Sequence, residues 1–177
     1  MGRVLLILGG ARSGKSRYAQ RCAAAAGTRV AYLATAEAGD AEMAARIARH
    51  RMDRPATWQT VEEPRAIAAA LRQAAAQNEV VLLDCLTLFL SNMLTARGAD
   101  PGAAAASAME EVEALLAVAQ EVSATTILVS NEVGMGLVPE TELGRAFRDL
   151  AGWVNQRVAA AADEVFFLAA GLPLRLK

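Results

Sequence analysis

Gly9-Gly10-Ala11-Arg12-Ser13-Gly14-Lys15-Ser16 is the stretch whose reading decides the fold. It fits G-x-x-x-x-G-K-[ST], the phosphate-binding loop. The flanks give the pattern its weight. Arg3 to Leu8 is an apolar run that reads as a buried strand, and Ser16 to Ala26 reads as a helix. Strand, glycine loop and helix together turn backbone N–H groups and a helix N-terminus towards an anion. Gly9 and Gly14 permit close approach of the backbone to phosphate oxygens. Lys15 is expected to reach the β- and γ-phosphates of a nucleoside triphosphate and Ser16 to hold Mg²⁺, with Gly10, Ala11, Arg12 and Ser13 completing the cradle.

Outward from this loop, apolar runs and helical patterns alternate. Arg29 to Thr35 reads as a second buried strand. Its end lies where an open α/β sheet binds ligands, outside the carboxyl ends of the strands, so Ala34 and Thr35 are candidate nucleotide contacts. Thr35 can equally be an ordinary polar strand end, and both readings stay open. Asp40 is the expected N-cap of a helix to about Arg51, which Asp53-Arg54-Pro55 ends. A short strand, Thr57 to Glu62, precedes a helix expected from Glu63-Pro64. Glu79 to Cys85 is an apolar run with Asp84 near its tip. That is the Walker B position for a carboxylate of the Mg²⁺ shell. Capping the next helix, Leu86 to Thr95, is the other reading of Asp84.

Arg97 to Gly102 reads as a loop, and Ala103 to Ser123 as a helix with Met109, Val112, Leu116 and Ala119 as its apolar stripe. Glu110, Glu111 and Glu113 on that helix are expected to be a solvated face. Thr125 to Asn131 is a further buried strand. It leads into Asn131 to Pro139, too glycine-rich for regular structure and too apolar for a plain solvent loop. A helix is expected from Pro139 to about Ala161, a strand over Asp163 to Ala169, a turn at Gly171 to Pro173 and an edge hairpin from Leu174. The class is α/β, with a mostly parallel central sheet flanked by helices, and residues 1–177 read as a single domain.

Composition narrows the function. The 177 residues carry 18 Lys plus Arg against 19 Asp plus Glu, so no basic footprint for nucleic acid exists. No apolar run approaches the ~20 residues that cross a bilayer. Met1-Gly2-Arg3 runs directly into the first strand, so no signal peptide is expected. The two cysteines, Cys22 and Cys85, form no C-x-x-C and read as buried free thiols of a cytoplasmic protein.

His50 is the one histidine. It follows Met43 and Ile47 at helical spacing, and a lone histidine in that setting is ordinarily packed or exposed without chemistry. Arg46, Arg49, Arg51 and Arg54 surround it, however, and arginines at that density make a phosphate-binding surface. Cationic neighbours also disfavour imidazolium, and a neutral imidazole is a nucleophile able to form a covalent intermediate. Attack on an α-phosphate with release of pyrophosphate is the chemistry this would permit. A small-molecule kinase with an idle His50 is the alternative. Asp149 to Gly152 satisfies the D-x-x-G of nucleotide switches but falls inside a helix.

Four strings together resemble the bifunctional adenosylcobinamide kinase/adenosylcobinamide-phosphate guanylyltransferase family of cobalamin biosynthesis. They are GGARSGKSRYA (Gly9 to Ala19), Glu42 to Pro64, Leu82 to Leu94, and Val129 to Lys177. The resemblance covers nearly the whole chain, Arg97 to Ser107 excepted. It implies a RecA-like P-loop NTPase core assembled as a homotrimer. It implies phosphorylation of adenosylcobinamide by ATP or GTP, then transfer of GMP from GTP to that phosphate through a GMP–histidine intermediate. His50 matches the nucleophile, Arg51 and Arg54 the adjoining nucleotide contacts, and Glu62 and Asp84 the acidic nucleotide-site positions.

Overall fold

The apolar runs become the strands β1 (Val4–Gly9), β2 (Val30–Ala34), β3 (Gln59–Glu62), β4 (Val80–Asp84), β5 (Thr125–Asn131), β6 (Glu164–Ala169) and β7 (Leu172–Arg175). Between them lie α1 (Lys15–Ala26), α2 (Ala41–Met52), α3 (Ile67–Ala75), α4 (Leu86–Leu94), α5 (Pro101–Glu121) and α6 (Glu142–Ala161). This is a computed structural model; it describes residues 2–52, 54–98 and 100–177, with the side chains of Glu42, Arg46 and His50 outside that description.

The strands form one sheet in the order β3-β2-β4-β5-β1-β6-β7. All pairings among β1 to β6 are parallel, and β7 returns antiparallel along β6. The expected α/β class with a mostly parallel sheet is met, in the manner of a P-loop NTPase-like core. Side chains alternate across a strand, and here each set has its own helices. Leu6, Leu8, Leu33, Leu83 and Leu128 face α3, α4, α5 and α6. Leu5, Ile7, Tyr32, Leu82 and Ile127 face α1, which meets them with Ala19 and Ala23. Both faces being covered is why the inner strands read as continuous apolar runs rather than alternating ones.

Helix starts differ from the sequence reading, and capping explains each difference. The Glu63 carboxylate accepts from the N–H groups of Arg65 and Ala66, both at 2.9 Å, so Pro64 lies in a turn and α3 begins at Ile67. The first free N–H groups of α3 are reached from elsewhere: Glu111 of α5 accepts from Ala68 N at 2.8 Å. Glu111 is therefore no member of a solvated face. Glu113 pairs in two-pronged fashion with Arg157 at 2.5 and 2.6 Å, joining α5 to α6. Asp100 caps α5 through Ala103 N at 2.9 Å, with Pro101 in the first turn. The last two residues of the expected 97–102 loop, Pro101 and Gly102, are thus helix. Thr141 caps α6, which begins at Glu142 instead of Pro139. Asp40 caps α2 through Met43 N at 2.7 Å, as expected.

The β6–β7 turn lies at Ala170 and Gly171, both with positive φ (51° and 81°), so Pro173 sits within β7. Proline is tolerated there because β7 is an edge strand. The turn does more than reverse the chain: Gly171 N donates to Ser13 O at 2.9 Å, tying the hairpin to the loop after β1.

Candidate active site

Parallel strands bring their carboxyl ends to one side. Gly9 of β1, Ala34 of β2, Asp84 of β4 and Asn131 of β5 therefore lie along one rim. The loop from Gly9 to Ser16 closes over β1 and enters α1. Gly14 stands at the N-cap with φ 91°, ψ 3°, and no side chain caps this helix end or places an acid in its first turn. Uncapped N–H groups and the positive end of the helix dipole are left for an anion. The Lys15 ammonium, buried with its residue at 8 % exposure, donates to Gly10 O at 3.2 Å. Ala11 and Arg12 are exposed, while Ser13 is buried. Its Oγ has no hydrogen-bond partner among the described residues.

A cleft opens beside this loop. Lys15, Ser16, Ala34, Ala36, Met43, Ile47, Arg54, Glu62, Asp84 and Asn131 are among the residues that line it. Of the sequence candidates, the structure thus brings Lys15, Ser16, Ala34, Arg54, Glu62 and Asp84 together. The Ser16 hydroxyl and Asp84 carboxylate are hard oxygen donors, and such a pair suits Mg²⁺. That ion takes one or two protein oxygens and completes its shell with substrate phosphates and water.

Thr35 differs from its neighbours. It is fully buried, its Oγ donating to Cys85 O at 2.7 Å and accepting from Cys85 N at 2.9 Å. This hydroxyl stitches the ends of β2 and β4 together and is spent on backbone rather than turned to the cleft. Asn92 of α4 donates to Thr35 O at 2.7 Å and holds the same corner.

Helix α2 lines the cleft through Met43 and Ile47. The His50 side chain lies outside the described residues; His50 is one turn beyond Ile47 on this helix. Arg51 is ion-paired with Glu62, so two candidate nucleotide contacts engage each other here. Arg65 and Glu37 form a second bridge, with both oxygens engaged at 3.0 Å, joining the loops after β2 and β3.

Arg54 lies over Tyr32, its guanidinium carbon 3.4 Å from the ring centroid. Its Nε and Nη1 are buried and lack partners among the described residues. The Tyr32 hydroxyl donates to Asp84 Oδ2 at 2.7 Å. Burial, with the Asp84 charge beside it, pushes this phenol well above its ordinary value. Tyr32 belongs to no motif; its signal in the sequence is a polar-tipped aromatic in an aliphatic strand, because a buried hydroxyl needs a partner. Asn131 ends β5 as expected, and its Nδ2 donates to Thr87 Oγ1 at 2.5 Å beside the cleft.

A sequence model described as "Cobinamide kinase / cobinamide phosphate guanyltransferase" matches residues 5–176. A bifunctional adenosylcobalamin biosynthesis protein, CobP, of Pseudomonas aeruginosa is 52 % identical over 97 % of this chain and 96 % of its own length. The bifunctional adenosylcobalamin biosynthesis proteins CobU of Salmonella typhimurium and Escherichia coli are 45 % and 44 % identical, each over 98 % of this chain and 99 % of theirs.

Proposed function

The chain belongs to the cobinamide kinase / cobinamide phosphate guanyltransferase family, and from that premise we propose that it performs both transfers on adenosylcobinamide within one domain. In the kinase step the aminopropanol hydroxyl oxygen attacks the γ-phosphorus of ATP or GTP, its proton passes to water, and the nucleoside diphosphate leaves. In the transferase step a His50 ring nitrogen attacks the α-phosphorus of GTP, and pyrophosphate leaves. An oxygen of adenosylcobinamide phosphate then attacks the same phosphorus. The P–N bond breaks, the imidazole is freed, and adenosylcobinamide-GDP is formed. One hard displacement becomes two easier ones.

The observation that carries this reading is the shared cleft. Lys15 and Ser16 line it from the phosphate loop and the start of α1, Asp84 from the end of β4, and Met43 and Ile47 from α2, the helix that contains His50. Lys15 and the arginines lower the cost of charge on the phosphates, which is most of what phosphoryl transfer asks of a protein. Ser16 and Asp84 would hold Mg²⁺, which supplies further neutralisation of phosphate oxygens when bound. Arg54 has two buried donors to offer an anion. Arg51 and Glu62 would exchange each other for nucleotide groups or bind as a pair.

A homotrimer in the cytoplasm belongs to the same proposal. Met135, Leu137 and Val138 are exposed at 81 %, 96 % and 65 %, and such a face favours a covering partner or the corrinoid. No described helix is long and apolar enough to cross a membrane.

The test is mass spectrometry of the protein after incubation with GTP and Mg²⁺. A GMP adduct on His50, lost in His50→Ala while phosphorylation of adenosylcobinamide persists, is expected. An adduct that survives His50→Ala refutes the nucleophile. Kinase activity with no adduct leaves a P-loop small-molecule kinase.

A further inference from the structure

Tyr32 is 2 % exposed, in a strand whose other residues are Val30, Ala31, Leu33 and Ala34. Packing alone needs no hydroxyl here, and burying one unpaired is costly. Its partner is the Asp84 carboxylate, met at Oδ2. The face of the same ring carries Arg54 at 3.4 Å. A guanidinium over an aromatic face is attracted by the ring's negative charge density. One rigid side chain thus touches an acid at the edge of the cleft through its tip and a base through its face.

We propose that Tyr32 is a positioning residue: its hydroxyl aims the Asp84 carboxylate at the divalent cation and its ring holds Arg54 over the bound phosphates. The inference rests on the assignment of Asp84 and Arg54 to the nucleotide site. The hydrogen bond at Oδ2 fixes the carboxylate rotamer and leaves Oδ1 for the cation. Partners of this kind typically change metal affinity or activity by ~10–100-fold when removed. The ring contact restrains an arginine whose remaining hydrogen bonds wait for an anion.

Tyr32→Phe separates the two roles, because it deletes the hydroxyl and keeps the ring. The experiment is calorimetric titration of the full chain with GTP, with and without Mg²⁺, alongside Mg²⁺ dependence of kinase turnover. Without Mg²⁺, Tyr32→Phe should bind GTP like the unmodified protein, since Arg54 keeps its support. With Mg²⁺, the gain in affinity should shrink and the Mg²⁺ needed for half-maximal turnover should rise ~10-fold or more. In Tyr32→Leu, which loses the ring as well, affinity should fall without Mg²⁺ too. In an Asp84→Asn background Tyr32→Phe should have no further effect on Mg²⁺ dependence.

A merely structural Tyr32 would lower the unfolding midpoint and leave the Mg²⁺ requirement of the folded fraction unchanged, which overturns the proposal. So would losses that multiply in the double variant. Should Tyr32→Phe not fold, Asp84→Asn against Asp84→Glu carries the test: equal Mg²⁺ requirements in both would overturn it. If the unmodified protein gains no GTP affinity from Mg²⁺, the nucleotide-site assignment itself fails.

Discussion

Three glycines near the phosphate loop allow the local geometry to be tested by alanine substitution without nucleotide present. Gly14 has φ +91° and Gly171 has φ +81°. An L-residue in the left-handed region costs ~1–2 kcal/mol, while replacing glycine restricts the unfolded chain and returns ~0.4–1 kcal/mol. Gly171→Ala has open space around the new Cβ, so its net loss should be about 1 kcal/mol from these two effects. At Gly14 the Cβ would come within 3.1 Å of Gly171 Cα, a backbone atom that cannot swing away. Overpacking then adds ~1 kcal/mol, the low end of its usual range, and the total approaches ~2 kcal/mol. Gly10 has neither a left-handed φ nor a neighbour within 4 Å, so Gly10→Ala should be neutral or slightly stabilising. Urea unfolding of the three variants at unchanged m-value is the assay. In thermal terms a chain of this size shifts by ~2–4 °C per kcal/mol. Gly14→Ala no less stable than Gly171→Ala would refute the contact between loop and hairpin. Gly10→Ala as the worst of the three would refute the reasoning altogether.

The side chain of Glu79 accepts from Thr28 N at 2.8 Å and Arg29 N at 3.1 Å. These backbone bonds, Arg29 N first, hold its carboxyl below the usual 4.5. A depressed folded value means stabilisation that is complete above 4.5 and lost as pH falls through the folded value. Glu79→Gln should therefore lower the melting temperature at pH 7, with the deficit shrinking as pH falls below 4.5 through the folded value, and a deficit independent of pH would contradict the assignment. Burial, and then the charge of Asp84, push the Cys85 thiol up to about 11, whereas Cys22 is only partly buried. At pH 8 about one Cys85 in a thousand is thiolate. An aromatic disulfide reagent should thus label Cys22 in the native protein and Cys85 only on unfolding; equal rates would count against the burial of Cys85.

What could be read in advance was whatever depends on neighbours in sequence. The run Val4 to Leu8 is continuous because both faces of β1 are covered, and the octet from Gly9 is recognisable because its glycines, Lys15 and Ser16 are contiguous in sequence. The Asp40 cap was visible for the same reason, since donor and acceptor lie three residues apart. What escaped depends on long-range pairing. Glu111 looked solvated because its partner, Ala68, is 43 positions away. Thr35 stayed open between a nucleotide contact and an ordinary strand end because the backbone that takes its hydroxyl, at Cys85, is 50 positions on. Tyr32 looked like core because Asp84 is 52 positions distant. Asp100 was the missed local signal: an acid before Pro101 is a helix start, and its glycine neighbours hid it.

The place of β1 in the sheet has a consequence for how the protein is made. Its two neighbours are β5 and β6, and the turn that supports the loop after it lies at Gly171. On a ribosome adding ~5–20 residues per second, β1 waits on the order of ten seconds for β5 and longer for β6. The sheet half built from β2, β3 and β4 can pair in the meantime, while β1 must be held out and then inserted between late partners. Nucleotide capture is therefore acquired near the end of synthesis, and a nascent chain stalled before β6 should carry the whole glycine octet and still be unable to grip a triphosphate.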